Sequence, residues 1–222
     1  MTSTATNATD RAAHRAAHRA VDQVAARRWR PRVTHTRPEI DPGAAEQAAA
    51  DLLTALGLDL TDESLVETPR RMAQALIEMT SGSDFELTTF PNDEGYDELG
   101  LVRDIPLQSV CEHHMLPFVG IAHIGYLPGE RILGLSKFAR MVDLHARRPQ
   151  TQERLTKRIA DHLQRELQPR GVGVVIEAEH TCMSLRGARA AGARTTTSAL
   201  FGRLRDDPRS RSEFLALTRS TP

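Results

Sequence analysis

The run VGVVIEAEHTCMSL, from Val172 to Leu185, limits the possible folds of this chain more than any other segment. It is rich in β-branched residues, and toward its end Glu177 and Glu179 alternate with Ile176, Ala178 and His180, the period-2 signature of a strand. Alternation sends Val174, Ile176, Ala178, His180 and Cys182 to one side and Val175, Glu177, Glu179 and Thr181 to the other. Such a strand needs a sheet around it. Its C-terminal end also needs a reason to turn an imidazole and a thiol toward the apolar side.

The rest of the chain supplies that sheet. Leu101 to Val110 and Val119 to Leu127 read as strands separated by CEHHMLPF, where Pro117 disfavours helix, and Thr195 to Phe201 reads as one more. After the turn at Pro128 and Gly129, a helix from Ser136 turns Phe138, Met141 and Val142 inward. A longer helix from about Thr151 carries a stripe of Leu155, Ile159, Leu163 and Leu167 until Pro169 and Gly171 end it. Upstream, Ala48, Leu52, Leu53 and Leu56 recur at helical spacing from Ala44, and Gly57 stops that helix. A second helix opens at Thr68 with Pro69 in its first turn, shows Met72, Leu76 and Met79 on one face, and ends near Gly82. Ser83 to Gly100 reads as a loop or an irregular crossing. The order predicts an α+β fold with an antiparallel hairpin on either side of a helical pair, and no internal repeat.

A chain of 222 residues suits one domain with appendages. Residues 44–222 form the expected domain, with N-terminal helices over about 44–82 and the strand-bearing part from about 100. Met1 to about Gly43 is rich in Ala, Arg, Thr and His and interrupted at Pro31, Pro38 and Pro42. It is expected to be disordered, with a frayed helix from Arg11 to Arg28. With 29 basic and 29 acidic residues the chain carries no overall polyanion-binding signature, so nucleic acid is not an expected partner and any basic site must be local. No apolar run suffices for a membrane span or a secretory signal, and the expected location is cytoplasmic. The Arg- and Ala-rich start also fits an organellar transit peptide. Two cysteines are too few for a disulfide scaffold.

In SVCEHHM, Cys111 and His114 are three residues apart, which one turn brings to a common side while His113 projects elsewhere. With Cys182 they would make a Cys₂His zinc (Zn2+) site whose fourth position is open to water, the arrangement of catalytic zinc. Another histidine could close it as a structural Cys₂His₂ site. Two small core thiols, or a disulfide between them, are the plainer alternatives. Zinc lowers the pKa of a bound water to about 7, which suits attack on electron-poor carbons. His113 and His180 could then move protons near neutrality.

GLSKFAR places Ser136 as a helix N-cap with Lys137 and Arg140 beside it, either a polyphosphate cradle or two solvated cations. Arg186, in SLRG, could reach the same pocket. Glu153, in RRPQTQERLT, is either a favourable first-turn acid or a carboxylate that accepts two N–H donors from a guanine edge.

Together CEHH, GLSKFAR, RRPQTQERLT and HTCMSLRG resemble the GTP cyclohydrolase I family, and the likeness runs from the TPRR segment at Thr68 to the C-terminus. The resemblance implies a T-fold subunit in a toroidal homodecamer of two pentamers, with active sites at subunit interfaces. It implies Cys111, His114 and Cys182 as zinc ligands, and His113 and His180 as proton-transfer residues. Gln152 and Glu153 would recognise guanine. Ser136, Lys137, Arg140 and Arg186 would contact ribose and triphosphate, and Arg71, with Arg70 alongside, would bind phosphate from a neighbouring subunit. The implied reaction adds water at C8 of GTP, releases formate, rearranges the ribose with help from His180 and Ser136, and closes to 7,8-dihydroneopterin triphosphate. His123 and His145 read as packing residues. Two other functions compete: a deazaguanine-branch nitrile reductase of the same fold with a nucleophilic cysteine, and a non-enzymatic oligomer stapled by zinc.

Overall fold

The computed structural model describes Arg32 and Val33 together with residues 39–219. The expected disorder of the N-terminal extension, and the helix from Arg11 to Arg28, fall largely or wholly outside the described residues.

The strands are β1 (Arg32–Val33), β2 (Phe85–Glu86), β3 (Thr89–Pro91), β4 (Gly100–Cys111), β5 (Pro117–Leu127), β6 (Arg131–Leu133), β7 (Pro149–Gln150), β8 (Gly171–His180) and β9 (Arg194–Gly202). The helices are α1 (Pro42–Ala55), α2 (Thr68–Thr80), α3 (Ser136–Ala146), α4 (Gln152–Leu167), α5 (Thr181–Ser184), α6 (Arg203–Asp206) and α7 (Pro208–Leu217). Helix α1 starts before Ala44 because Asp41 accepts from the Ala44 N–H and Pro42 occupies the first turn, where its missing N–H costs nothing.

The two expected hairpins are one curled five-stranded sheet of order β7-β4-β5-β8-β9. Strand β5 joins them, pairing antiparallel with β4 on one side and with β8 on the other, from Phe118↔His180 to Leu127↔Gly171. Helices α3 and α4 cover one face, and their Phe138, Met141, Leu155, Ile159 and Leu163 interlock with Leu107, Phe118, Ile124, Val174 and Ile176. The α4 stripe is buried as expected. The segment Ser83–Gly100 is more ordered than a loop. It contributes β2 and β3, pairs Thr89–Pro91 with β6, and sends Phe85 and Leu87 into the core.

The opposite face carries a smaller cluster of Leu127, Val175, Leu204 and Phe214, closed by the unforeseen helices α6 and α7. Gly125 and Gly173 face each other across β5 and β8 under the Phe214 ring. A Cβ on Gly173 would stand 2.5 Å from Phe214 Cε1. Gly173→Ala is therefore expected to lower stability by about 1–3 kcal/mol through overpacking, measured as the midpoint of denaturant unfolding. Phe214→Leu in the same chain should recover part of that loss, and a Gly173→Ala chain as stable as the parent would refute the slot.

His123 and His145 pack as expected. His123 is 3 % exposed and accepts at Nδ1 from the Asp104 N–H (3.2 Å), filling the irregularity between Val102 and Ile105 where Asp104 has φ 57°. Burial pushes its pKa down. His145 is buried between α3 and α4, its Nε2 2.9 Å from His162 Nδ1.

Candidate active site

The site forms where β4 and β8 end on either side of the start of β5. Cys111 is the last residue of β4 and is buried in the core. Beyond it the chain reverses tightly: Met115 adopts φ 54°, its N–H donates to the Cys111 carbonyl (2.9 Å), and the Cys111 N–H donates to the Leu116 carbonyl (2.8 Å). The reversal projects His113 and His114 outward from a buried thiol.

Strand β8 does not continue through Cys182. It stops at His180, which faces Phe118, because β5 begins at Pro117 and a longer β8 would soon have no neighbour. The chain instead makes one helical turn, α5, pinned by the Thr181 hydroxyl donating to the Pro117 carbonyl (2.6 Å). Cys182 thus reaches the expected side of the sheet by a helical turn and not by alternation, and it packs against the main core.

The result is a group of three donors, Cys111, His114 and Cys182, with all their ligand atoms within 4.8 Å of one another. Cys111 Sγ lies 3.7 Å from His114 Nδ1. Tetrahedral zinc, with bonds of about 2.3 Å to sulfur and 2.0 Å to nitrogen, sets its ligand atoms roughly 3.5–3.8 Å apart, so these residues fit a metal of that kind. Burial, then the Cys111 thiol alongside, pushes the Cys182 thiol up, and a metal bound there must displace protons from the thiols.

His113 is not as remote from the group as expected. Its Nδ1 is 3.8 Å from Cys111 Sγ, yet it lies outside the mutually close set, and its side chain is 65 % exposed. Its Nε2 stands 3.9 Å from Glu112 Oε1, and Glu112 is ion-paired to Arg154 on α4. That pair, which the motifs did not reveal, ties the CEHH turn to the start of α4.

His180 stacks on Phe118, with ring centroids 4.5 Å apart and planes 12° from parallel. Burial lowers its pKa, opposed by the nearby Glu153 carboxylate. The Cys111, His114 and Cys182 atoms can therefore hold a divalent cation, with the His113 ring beside Cys111.

The GTP cyclohydrolase I family profile matches residues 45–219 of this sequence. The chain belongs to the GTP cyclohydrolase I family. Among curated relatives, the protein named GTP cyclohydrolase 1 from Mycolicibacterium gilvum (strain PYR-GCK) is 52 % identical over 189 residues, covering 83 % of this chain and 94 % of its own. The one of the same name from Streptomyces avermitilis is 53 % identical over 186 residues, covering 81 % of this chain and 91 % of its own.

In this GTP cyclohydrolase I family chain the remaining expected residues are distributed as follows. Glu153 is exposed in the first turn of α4. Gln152, expected beside guanine, is 1 % exposed, and its amide lies under His180. Ser136 does not cap α3: Leu135 takes that position in helical conformation, and Ser136 lies exposed one residue inside. The N–H groups of Lys137 and Phe138 already donate to the Gly134 and Leu135 carbonyls (2.9 and 3.2 Å), so this helix start has fewer free backbone donors than an ordinary one. Arg140 is exposed and lines a cleft with Ser83, Asp84, Phe85 and Asp143. Arg186 follows α5, close enough to Cys182 to favour its thiolate. Arg71 is exposed in the first turn of α2, whereas Arg70 pairs with Glu67 (2.6 Å). No helix among the described residues is long and apolar enough to cross a membrane.

Proposed function

We propose that the chain hydrolyses GTP at C8 of the guanine, releases formate, and rearranges the ribose to give 7,8-dihydroneopterin triphosphate. The observation that carries this reading, beyond family membership, is the Cys111–His114–Cys182 group flanked by His113 and His180. Those three residues would hold zinc. Bound there, zinc supplies Lewis acidity and a water with its pKa lowered to about 7.

The chain's own residues do the rest. His113, exposed beside the group, moves protons as the imidazole ring of guanine gains water and opens. His180 and Ser136 assist the ribose rearrangement. Glu153 accepts from the guanine edge, while Lys137, Arg140 and Arg186 hold ribose and triphosphate. Fixing the triphosphate remote from C8 orients the reacting carbon, so binding energy far from the chemistry supports it.

The T-fold subunit is proposed to assemble into a homodecamer of two pentamers in the cytoplasm, with Arg71 reaching a neighbour's pocket. Exposed apolar side chains at Met115, Leu135 and Leu185, each adjoining a site motif, support a subunit interface there. Incubating the purified chain with GTP should release formate and raise a pterin absorbance. A chelator should stop both, and zinc should restore them. Absence of formate with zinc present would refute the reading.

A further inference from the structure

The Gln152 side chain is almost wholly buried, yet every polar atom on it is engaged. Its Nε2 lies 3.0 Å from the Ile176 carbonyl oxygen, 2.9 Å from the Thr195 carbonyl oxygen and 3.1 Å from Thr197 Oγ1. Its Oε1 lies 2.8 Å from His180 Nε2. The two carbonyls only accept, which decides the orientation of the amide. Turned the other way, Gln152 would press its own oxygen against both carbonyl oxygens inside a buried site, at the cost of two hydrogen bonds.

The neighbouring hydroxyls complete the circuit in one direction. Thr156 Oγ1 donates to the Gln152 main-chain carbonyl (2.8 Å), so at its 2.6 Å contact with Thr197 it must accept. Thr197 therefore gives its proton to Thr156 and shares, as the longest of three contacts, an amide hydrogen of Gln152 with a carbonyl. With Gln152 Oε1 facing His180 as an acceptor, His180 Nε2 must carry a hydrogen.

We propose that Gln152 is a positioning residue that locks His180 in the Nε2–H tautomer, so that the ring acts on substrate only through Nδ1. Backbone carbonyls of β8 and β9 thereby choose the reactive atom of the histidine. The Phe118 stack fixes the plane of the ring, and the Gln152 oxygen fixes its rotation within that plane. Held this way the ring presents Nδ1 to substrate, and the Gln152 amide is unavailable to the guanine edge. Glu153, exposed on the next residue, is left as the guanine contact of the pair.

The proposal rests on the GTP reading for its kinetic test but not for its spectroscopic one. Gln152→Met keeps the length of the side chain and removes its hydrogen bonds. It is expected to lower kcat about 10- to 100-fold, the usual cost of losing an orienting partner, with the KM for GTP within about twofold and metal content unchanged. A raised KM at unchanged kcat would overturn the proposal and return Gln152 to substrate binding. Unchanged kcat and KM would overturn it as well. Independently, solid-state ¹⁵N spectra of the full-length wild-type chain with labelled histidine should show His180 protonated at Nε2 and bare at Nδ1, assigned by loss of the signals in His180→Asn. Observation of the Nδ1–H form would overturn the proposal whether or not Gln152→Met folds. If the wild-type chain released no formate from GTP, the GTP reading would fall, and the ring spectrum alone would decide the tautomer.

Discussion

Cys182→Ala is expected to lose its metal and its formate release together while the sheet remains folded. Cys182 sits on the single turn α5 past the end of β8, partly exposed, so trimming its thiol opens little of the core. The group it leaves has only Cys111 and His114, and two donors do not hold a catalytic zinc, which takes three protein ligands. A metal acting as Lewis acid supplies several kcal/mol of transition-state stabilisation, so turnover should fall by about 10³-fold or more. Elemental analysis of purified protein gives the metal per chain, and formate release gives the rate. Full metal content with normal turnover would remove Cys182 from the ligand set. Because the Cys182 thiol is pushed up by burial and by Cys111, protons compete with the ion, and metal occupancy in the parent chain should weaken as pH falls.

His113→Ala is expected to separate what Cys182→Ala joins. The His113 ring is mostly exposed and lies outside the mutually close donors, so its removal should leave metal content and unfolding midpoint within error of the parent. Turnover should nevertheless drop about 10²- to 10⁴-fold, the range that a positioned acid or base contributes. Normal formate release would move the proton transfer to another group, and loss of metal would make His113 a ligand. The contrast with its neighbour sharpens the test, because His114→Ala should lose the ion as Cys182→Ala does.

The long elements were legible because burial imposes period on them. The α4 stripe at Leu155, Ile159, Leu163 and Leu167 is read directly from spacing, whereas β8 is buried on both faces from Gly171 to Ile176 and alternates only beyond that, around Glu177 and Ala178. What failed was information held by neighbours. Nothing near Cys182 announces that β5 begins at Pro117 and so deprives β8 of a partner after His180. The pairing of β5 with β8 joins segments separated by two helices, so no local signal made one sheet of the two hairpins. Helices α6 and α7 bury little beyond Leu204 and Phe214, too sparse a stripe for periodicity. In the structure α7 starts from an N-cap at Asp207, which accepts from the Arg209 and Ser210 N–H groups, with Pro208 in the first turn. At the site, residue types and spacing pointed to the Cys–His–Cys group. They could not show that Gln152 is buried or that Arg154 holds Glu112, since both depend on which side chains the completed sheet brings beneath the histidines.

The register of β5 against its two neighbours has a consequence for how the chain matures. Cys111 and Cys182 meet only because one strand aligns both of its flanking partners at the same end. A slip of one residue along either pairing would turn the outgoing chain to the wrong side and pull the sulfurs apart. An ion that needs both sulfurs binds only the correctly aligned chain and, by mass action, draws misaligned forms toward it. Metal capture would then add to the stability of an alignment that the buried faces of the strands already set.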